Sequence, residues 1–188
     1  MKKVLFVSAL FILAASTKSV AQDATGAWGG KGTKVVNVGY GFGSIWKTLF
    51  KLSGASVKST GPVALGFEYG VAEKIGVGVQ LGYGQIKATT QSGSTTTEEK
   101  LTSFQAFARG NYHFGSSAKF DPYIGLGLGY GNFKYTTNNS STSISVPSAF
   151  GFTGALGARY YVSSNIGLYA EIGYVTGSFA QAGVVAKF

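Results

Sequence analysis

The side chains that could do chemistry in this chain are few, and they fall on one face of its extended segments. His113 is the only histidine, and the chain has no cysteine. Alternate positions of the same segments carry five charged side chains: Glu68, Arg109, Arg159, Glu171 and Lys187. A lone histidine could act as a general base, but without cysteines or a cluster of carboxylates it does not make a metal site. The sequence therefore predicts no catalytic residue, no metal and no cofactor.

The glycine-rich stretch YIGLGLGYGN, Tyr123 to Asn132, superficially resembles a phosphate-binding loop. Such a loop needs the pattern G-x-G-x-x-G at the start of a helix. Here the alternation of large apolar residues and glycine simply continues, as in a strand with one small face. We interpret the glycines as room for bulky groups on neighbouring strands, and not as a nucleotide site.

Period-two alternation recurs eight times after residue 32, and no long helical period appears. Each alternating segment has about 9 to 14 residues, and a tilted strand needs about 9 to 11 to cross a bilayer. The predicted strands are Thr33 to Gly43, Gly61 to Gly70, Ile75 to Gly84, Leu101 to Phe114, Tyr123 to Gly131, Ser148 to Tyr161, Ile166 to Val175 and Phe179 to Phe188.

The connections alternate in length. Residues 71–74, 115–122 and 162–165 are short, whereas residues 44–60, 85–100 and 132–147 are long and mostly polar, and only the short connection 176–178 breaks the rule. Short turns at one end and long loops at the other are typical of an up-and-down membrane barrel. We predict an all-β fold, an eight-stranded antiparallel transmembrane barrel over 33–188 with both termini at the short-turn, periplasmic end.

The two faces of the predicted strands differ in polarity. One face is apolar, carries no charge and gathers aromatic residues toward the strand ends, as interfacial girdles do. The other face is polar and holds most of the strand glycines, with Gly110 and Gly154 as exceptions. A soluble ligand-binding barrel would turn the polar face to water, but five charges over eight strands are too few for a soluble surface. The pattern favours lipid outside and a narrow lumen inside.

Before the barrel, Lys2 and Lys3 precede an apolar run from Val4 to Ala15 and the small residues Ser19-Val20-Ala21. This pattern predicts a signal peptide over 1–21, followed by a periplasmic segment over 22–32. Removing 1–21 lowers the net charge from +9 by the three lysines it contains, to about +6. No basic run remains, so nucleic acid is not an expected partner.

An eight-stranded barrel is only wide enough for side chains to fill its interior. The second and sixth strands lie opposite each other in a ring of eight, which could pair Glu68 with Arg159. Because unpaired charges in a dry interior are costly, we expect cross-lumen ion pairs among the five charged residues. The alternative is that each charge is separately hydrated in a column of water.

The signal peptide, the eight amphipathic strands and the terminal phenylalanine together resemble the small outer-membrane β-barrel family of the OmpA transmembrane-domain and OmpX type, often called porin-like. The resemblance implies that Phe188, with Val184 and Ala186 on the same face, is read by the barrel-assembly machinery, although Ala186 stands where an aromatic residue is common. It also implies a charged lumen plug and contact with outer-membrane lipid and lipopolysaccharide. Lipid A-trimming barrels of this size place their histidine toward lipid near the outer leaflet, whereas His113 is expected in the lumen at the other end.

These observations predict a non-enzymatic outer-membrane protein with a largely plugged lumen and a structural or surface-interaction role. The alternatives are a narrow porin-like channel for ions or small solutes and, third, a soluble ligand-binding barrel. An extracellular partner would meet the loops 44–60, 85–100 and 132–147. Loop 44–60 has helical spacing that could form an interfacial helix, but we favour a β-hairpin extension.

Overall fold

The computed structural model describes residues 26–138 and 144–188, so the predicted signal peptide, residues 1–21, lies outside the described part of the chain. Eight strands and one helix account for most of it. The strands are β1 (Lys34–Phe42), β2 (Ser56–Ala72), β3 (Ile75–Ser92), β4 (Thr95–His113), β5 (Phe120–Thr137), β6 (Ile144–Tyr161), β7 (Ile166–Val175) and β8 (Ser178–Lys187), and the helix is α1 (Ile45–Leu52). No helix within the described residues is long and apolar enough to span a membrane.

The strands form a closed antiparallel barrel in sequence order, which confirms the predicted fold. Closure comes from β1, which pairs with β2 on one side and with β8 on the other. In the closing pair Val35 lies opposite Lys187 and Phe42 lies opposite Ala180. The connections β2–β3, β4–β5 and β6–β7 lie at one end of the barrel and comprise residues 73–74, 114–119 and 162–165. We call this end the short-turn end and the opposite end the long-hairpin end.

The strands at the long-hairpin end extend further than predicted. Much of 85–100 is strand, because β3 and β4 stay paired up to Ser92 and Thr95, with Gly93 in the turn at a positive φ of 59°. Likewise β5 runs to Thr137 and β6 begins at Ile144, while 139–143 lie outside the described residues. Paired strands therefore account for much of these polar connections, because threonine-rich segments favour extended structure whenever a neighbouring strand pairs with them.

The segment 44–60 also differs from the favoured prediction. Residues Ile45–Leu52 form helix α1, and only Ser56 to Thr60 extend β2. The hairpin extension was therefore wrong for the first half of this segment. The helix carries exposed leucines, with Leu49 52% and Leu52 79% exposed.

The alternation of the strands separates two surfaces. Apolar side chains face outward and are exposed, Leu126 to 67%, Phe152 to 68% and Ile172 to 74%. The inward face is buried, and its glycines give space to larger neighbours. A Cβ on Gly125 of β5 would collide with the Arg109 guanidinium, and a Cβ on Gly157 of β6 would collide with the Tyr123 ring.

The β7–β8 turn accounts for the one short connection at the long-hairpin end. Thr176 and Gly177 have φ of 46° and 82°, the positive values that a two-residue hairpin turn requires. The turn is folded into the barrel, since Val175, Thr176 and Ser178 are at most 1% exposed. A Cβ on Gly177 would lie 2.7 Å from Gln105 Nε2, on the strand opposite β8 in the ring. This turn therefore reaches across the lumen from β8 toward β4 at the long-hairpin end.

Candidate functional site

The lumen near the short-turn end holds four charged side chains in a closed ring, contributed by β2, β4, β5 and β6. His113 Nε2 lies 2.8 Å from Glu68 Oε1, and His113 Nδ1 lies 2.8 Å from Asp121 Oδ1. Arg159 Nη1 lies 3.4 Å from Asp121 Oδ2, and Arg159 Nη2 pairs with Glu68 Oε2. We call these four residues the charge ring. Their side chains are at most 6% exposed, so the ring is shielded from solvent.

The geometry of the charge ring defines the protonation of His113. An ionised carboxylate only accepts hydrogen bonds, and each ring nitrogen of His113 faces a carboxylate oxygen. With both carboxylates ionised, both ring nitrogens act as donors and the imidazole is cationic. With Glu68 and Asp121 negative and His113 and Arg159 positive, the ring is electrically neutral. Neutrality is what allows four charges to be buried together.

Trp28 covers the charge ring from the short-turn end. Its ring stacks on the His113 imidazole, with centroids 3.7 Å apart and planes 4° from parallel, and it is 1% exposed. The Arg159 guanidinium lies 5.7 Å from the Trp28 ring centroid and 4.6 Å from that of Tyr123, so it is held between two aromatic faces. The chain before β1 is thus part of the lumen filling.

A second ion pair lies beside the charge ring, toward the middle of the barrel. Arg109 Nη2 is 2.7 Å from Glu171 Oε1, and the Tyr123 hydroxyl donates to the same oxygen over 2.7 Å. Arg109 Nη1 donates to Gln80 Oε1 over 2.9 Å. One acid balances one base here as well. The Tyr123 ring contacts both Arg109 and Arg159, and so links the two clusters.

A small cavity of about 20 Å³ lies against the second ion pair. Five buried polar atoms that have neither a hydrogen-bond nor an ion-pair partner among the described residues belong to side chains that line it: Asn37 Oδ1, Gln80 Nε2, Arg109 Nε, Asn111 Oδ1 and Glu171 Oε2. They include donors and acceptors, and a water molecule can serve both. The volume suits about one water molecule.

The structure brings together four of the five charged residues singled out in the sequence. Glu68 pairs with Arg159 across the barrel, and Arg109 pairs with Glu171. Lys187 is apart from both pairs: its Nζ donates to the Ala27 carbonyl over 2.6 Å and lies 4.5 Å from the Tyr161 ring centroid. Lys187 therefore anchors the segment that carries Trp28, and it forms no ion pair with an acid among the described residues.

Sequence reasoning missed three participants. Asp121 was assigned to a connection, but β5 begins at Phe120 and turns Asp121 inward. His113 was weighed as a general base and as a metal ligand, although its place on the polar face was also a signal for ion pairing with the acids of that face. Trp28 lies in the segment 22–32, which was predicted to lie outside the barrel. A single tryptophan followed by two glycines shows no period-two alternation, so no signal in the sequence would place it in the lumen.

The residues expected to guide assembly lie at the end of β8. Val184 is exposed on the outer face opposite Val38, and Ala186 lies opposite Val36 on the same face. The Phe188 amide donates to the Lys34 carbonyl over 2.8 Å, which ties the chain end to β1. Their reading by an assembly machinery stays a prediction.

A second, larger cavity of about 130 Å³ lies at the long-hairpin end. Residues of β1 to β4, Lys47 of α1 and Gly177 of the β7–β8 turn line it. The β7–β8 turn thus borders this cavity on one side.

Comparison with known proteins agrees with this geometry. The family model described as outer membrane protein beta-barrel domain matches residues 7–188. The NMR structure of E. coli outer membrane protein W has 16% identity and a TM-score of 0.50, with 85% of this chain and 99% of that chain covered.

Two further solved structures are similar at low identity. OprG of Pseudomonas aeruginosa has 15% identity and a TM-score of 0.49, covering 88% of this chain and 99% of that one. Ail, the attachment invasion locus protein of Yersinia pestis, has 14% identity and a TM-score of 0.47, covering 84% and 99%. No curated protein matches the chain significantly by sequence.

Proposed function

Because the chain belongs to the outer membrane protein beta-barrel domain family, we propose that it is a non-enzymatic barrel of the bacterial outer membrane with a closed lumen and a structural or surface-interaction role. The observation that carries the proposal is the charge ring under Trp28, which fills the cross-section with balanced, mutually bonded groups. The inward β7–β8 turn supports closure from the other end. The termini then lie on the periplasmic side and the long hairpins on the cell surface.

The absence of catalysis is part of the proposal. His113 is the one histidine, and both of its nitrogens are engaged by carboxylates while Trp28 covers its face. A general base needs a free nitrogen within reach of a substrate proton. The arrangement supports a structural role for His113.

The extended hairpins β3–β4 and β5–β6 and the helix α1 support the surface role. Their outer parts lie beyond the lumen filling and offer polar edges to a partner outside the cell. A narrow channel, the second function considered from the sequence, has less support, because the cavity inside the lumen holds about 20 Å³. Any extracellular partner would meet segments 44–60, 85–100 and 132–147.

Planar-bilayer recording tests the closed lumen. We expect the native protein to show almost no current, and Glu68→Ala to conduct, because it breaks the charge ring and leaves Arg159 and His113 without their shared acid. Glu73→Ala is the matched control, since Glu73 is exposed in a short turn, and it should stay closed. Large native currents that Glu68→Ala leaves unchanged would contradict the proposal.

A further inference from the structure

Three lysines form a row on the outward surface near the long-hairpin end. Lys58 of β2 lies directly opposite Lys87 of β3, and Lys87 lies directly opposite Lys100 of β4. Direct partners in an antiparallel pair have their Cβ atoms about 5 Å apart on the same face. All three side chains are exposed. We call Lys58, Lys87 and Lys100 the lysine row.

The lysine row faces outward. Lys87 lies an even number of residues from Val79 and Tyr83, which are exposed on the outer face of β3 by 51% and 48%. Inward neighbours such as Ala88 are buried. The row therefore lies on the outer surface, which also carries the exposed apolar side chains. It lies beyond them, toward the long-hairpin end.

No acid among the described residues forms an ion pair with a lysine of the row. Like charges directly opposite on a sheet destabilise it. The ion pairs within residues 26–138 and 144–188 are those of the lumen, and none includes a lysine of the row. Glu98, the neighbouring acid on this face, lies one pair beyond, opposite Thr89, and Glu99 accepts a hydrogen bond from Tyr135. An anion from outside the chain would relieve this repulsion.

The height of the row identifies the class of anion. Tyr83 and Phe104 are direct partners on the outer face and belong to the aromatic girdle, which marks the edge of the hydrocarbon region. Lys87 is four residues beyond Tyr83, about 13 Å along the strand. Between them Gln85 lies opposite Thr102 and adds neutral hydrogen-bonding groups. This is the level of lipid head groups.

We propose that the lysine row is a binding site for the phosphate groups of an anionic lipid of the outer leaflet. Lys134 of β5, on the same face opposite Thr102, extends the positive surface beside Lys100. Ammonium groups near a membrane surface attract anionic lipid, and a phosphate placed between Lys87 and its two neighbours removes their mutual repulsion. The inference rests on the proposed orientation, with the long hairpins at the outer leaflet.

The test compares two lipids that differ by one phosphate. Native mass spectrometry of the folded protein in detergent micelles would measure the binding of diphosphoryl and monophosphoryl lipid A. We expect tighter binding of the diphosphoryl form. The variant Lys58→Gln/Lys87→Gln/Lys100→Gln should bind it about tenfold more weakly or worse and lose the preference. Lys87→Gln alone, at the centre of the row, should give an intermediate loss.

The matched control is Lys31→Gln/Lys74→Gln/Lys119→Gln, which removes three exposed lysines at the short-turn end. It should bind as the native protein does. Native-like binding by the row variant, or loss of binding in the control variant instead, would overturn the site. Heat-modifiable migration on a gel verifies that each variant is folded. The lysine row lies outside the lumen, so the triple row variant should pass as little current in bilayer recordings as the native protein. The current through the native protein tests the closed lumen independently of the lipid site.

Discussion

At the residue scale, Arg159 and Lys187 are two inward cations that differ in the groups they contact. Arg159 is 1% exposed and contacts Glu68 and Asp121, whereas Lys187 is 8% exposed and bonds a carbonyl. Arg159→Met leaves two carboxylates with one shared cation, which should cost about 3–5 kcal/mol of unfolding free energy. Lys187→Met loses one charged hydrogen bond, about 1.5–3 kcal/mol. Urea unfolding in lipid vesicles measures both, and equal losses would contradict the assigned roles.

Gly125 and Gly110 offer a second comparison between neighbouring strands. A Cβ on Gly125 meets Arg109 and Asn111, whereas a Cβ on Gly110 meets nothing within 4 Å. We expect Gly125→Ala to destabilise the barrel by about 1–3 kcal/mol through overpacking. Gly110→Ala should be neutral or slightly stabilising, because it only restricts the unfolded chain. Urea unfolding in lipid vesicles measures the change in unfolding free energy of both variants. A larger loss for Gly110→Ala than for Gly125→Ala would show that crowding in the lumen is not the reason for the inward glycines.

At the element scale, the β3–β4 hairpin beyond the membrane is predicted to be separable from the barrel. Replacing residues 90–97 by Asn-Gly joins Thr89 to Glu98, which are direct partners, through a two-residue turn that suits a hairpin. The shortened protein should keep its heat-modifiable migration, because these residues do not touch the lumen filling. Under the proposed surface role, cells that carry the shortened protein should adhere less in a cell-adhesion assay than cells that carry the native protein. Loss of folding would instead make the hairpin part of the barrel's own stability.

The β4–β5 pair carries a titratable contact outside the membrane. The Tyr135 hydroxyl donates to the Glu99 carboxylate, and this bond raises the pKa of Tyr135 to about 12. The raised pKa means that the neutral hydroxyl is favoured in the folded hairpin, so the contribution to stability is complete below pH of about 10 and is lost as the pH rises through about 12. The difference between the ultraviolet titrations of native protein and Tyr135→Phe should show one tyrosine ionising near the higher value. Ionisation near pH 10 would exclude the bond.

Much of the architecture could be predicted at this scale and some could not. The number of strands and the side to which each side chain points could be predicted from the period-two alternation. Every strand has one face toward lipid, so apolar residues recur at every second position. The extended hairpins were missed because residues such as Thr95 to Thr97 carry no apolar alternation outside the membrane. Helix α1 was left as the less favoured alternative because its Ile45, Leu49 and Leu52 spacing covers barely two turns. Trp28 could not be placed, since its position depends on the fit of a whole end of the barrel.

At the scale of the whole molecule, the proposed closure rests on successive layers of side chains along the lumen. Trp28 covers the charge ring, the Arg109–Glu171 pair follows, and the β7–β8 turn reaches into the lumen at the long-hairpin end. We predict that Trp28→Ala alone leaves bilayer currents near the native level, because the ring beneath still spans the lumen. Trp28→Ala combined with Glu68→Ala should conduct more than Glu68→Ala. Equal currents in these two variants would show that Trp28 adds no barrier.

The central claim is that a charge-balanced ring fills the lumen, and His113 reports on it directly. Since it is the only histidine in the chain, nitrogen NMR of protein labelled at histidine gives a single set of ring signals. At pH of about 8 an ordinary histidine is mostly neutral. The structure predicts that both ring nitrogens of His113 are protonated there, each bonded to a carboxylate. A neutral imidazole with one bare nitrogen would contradict the ring.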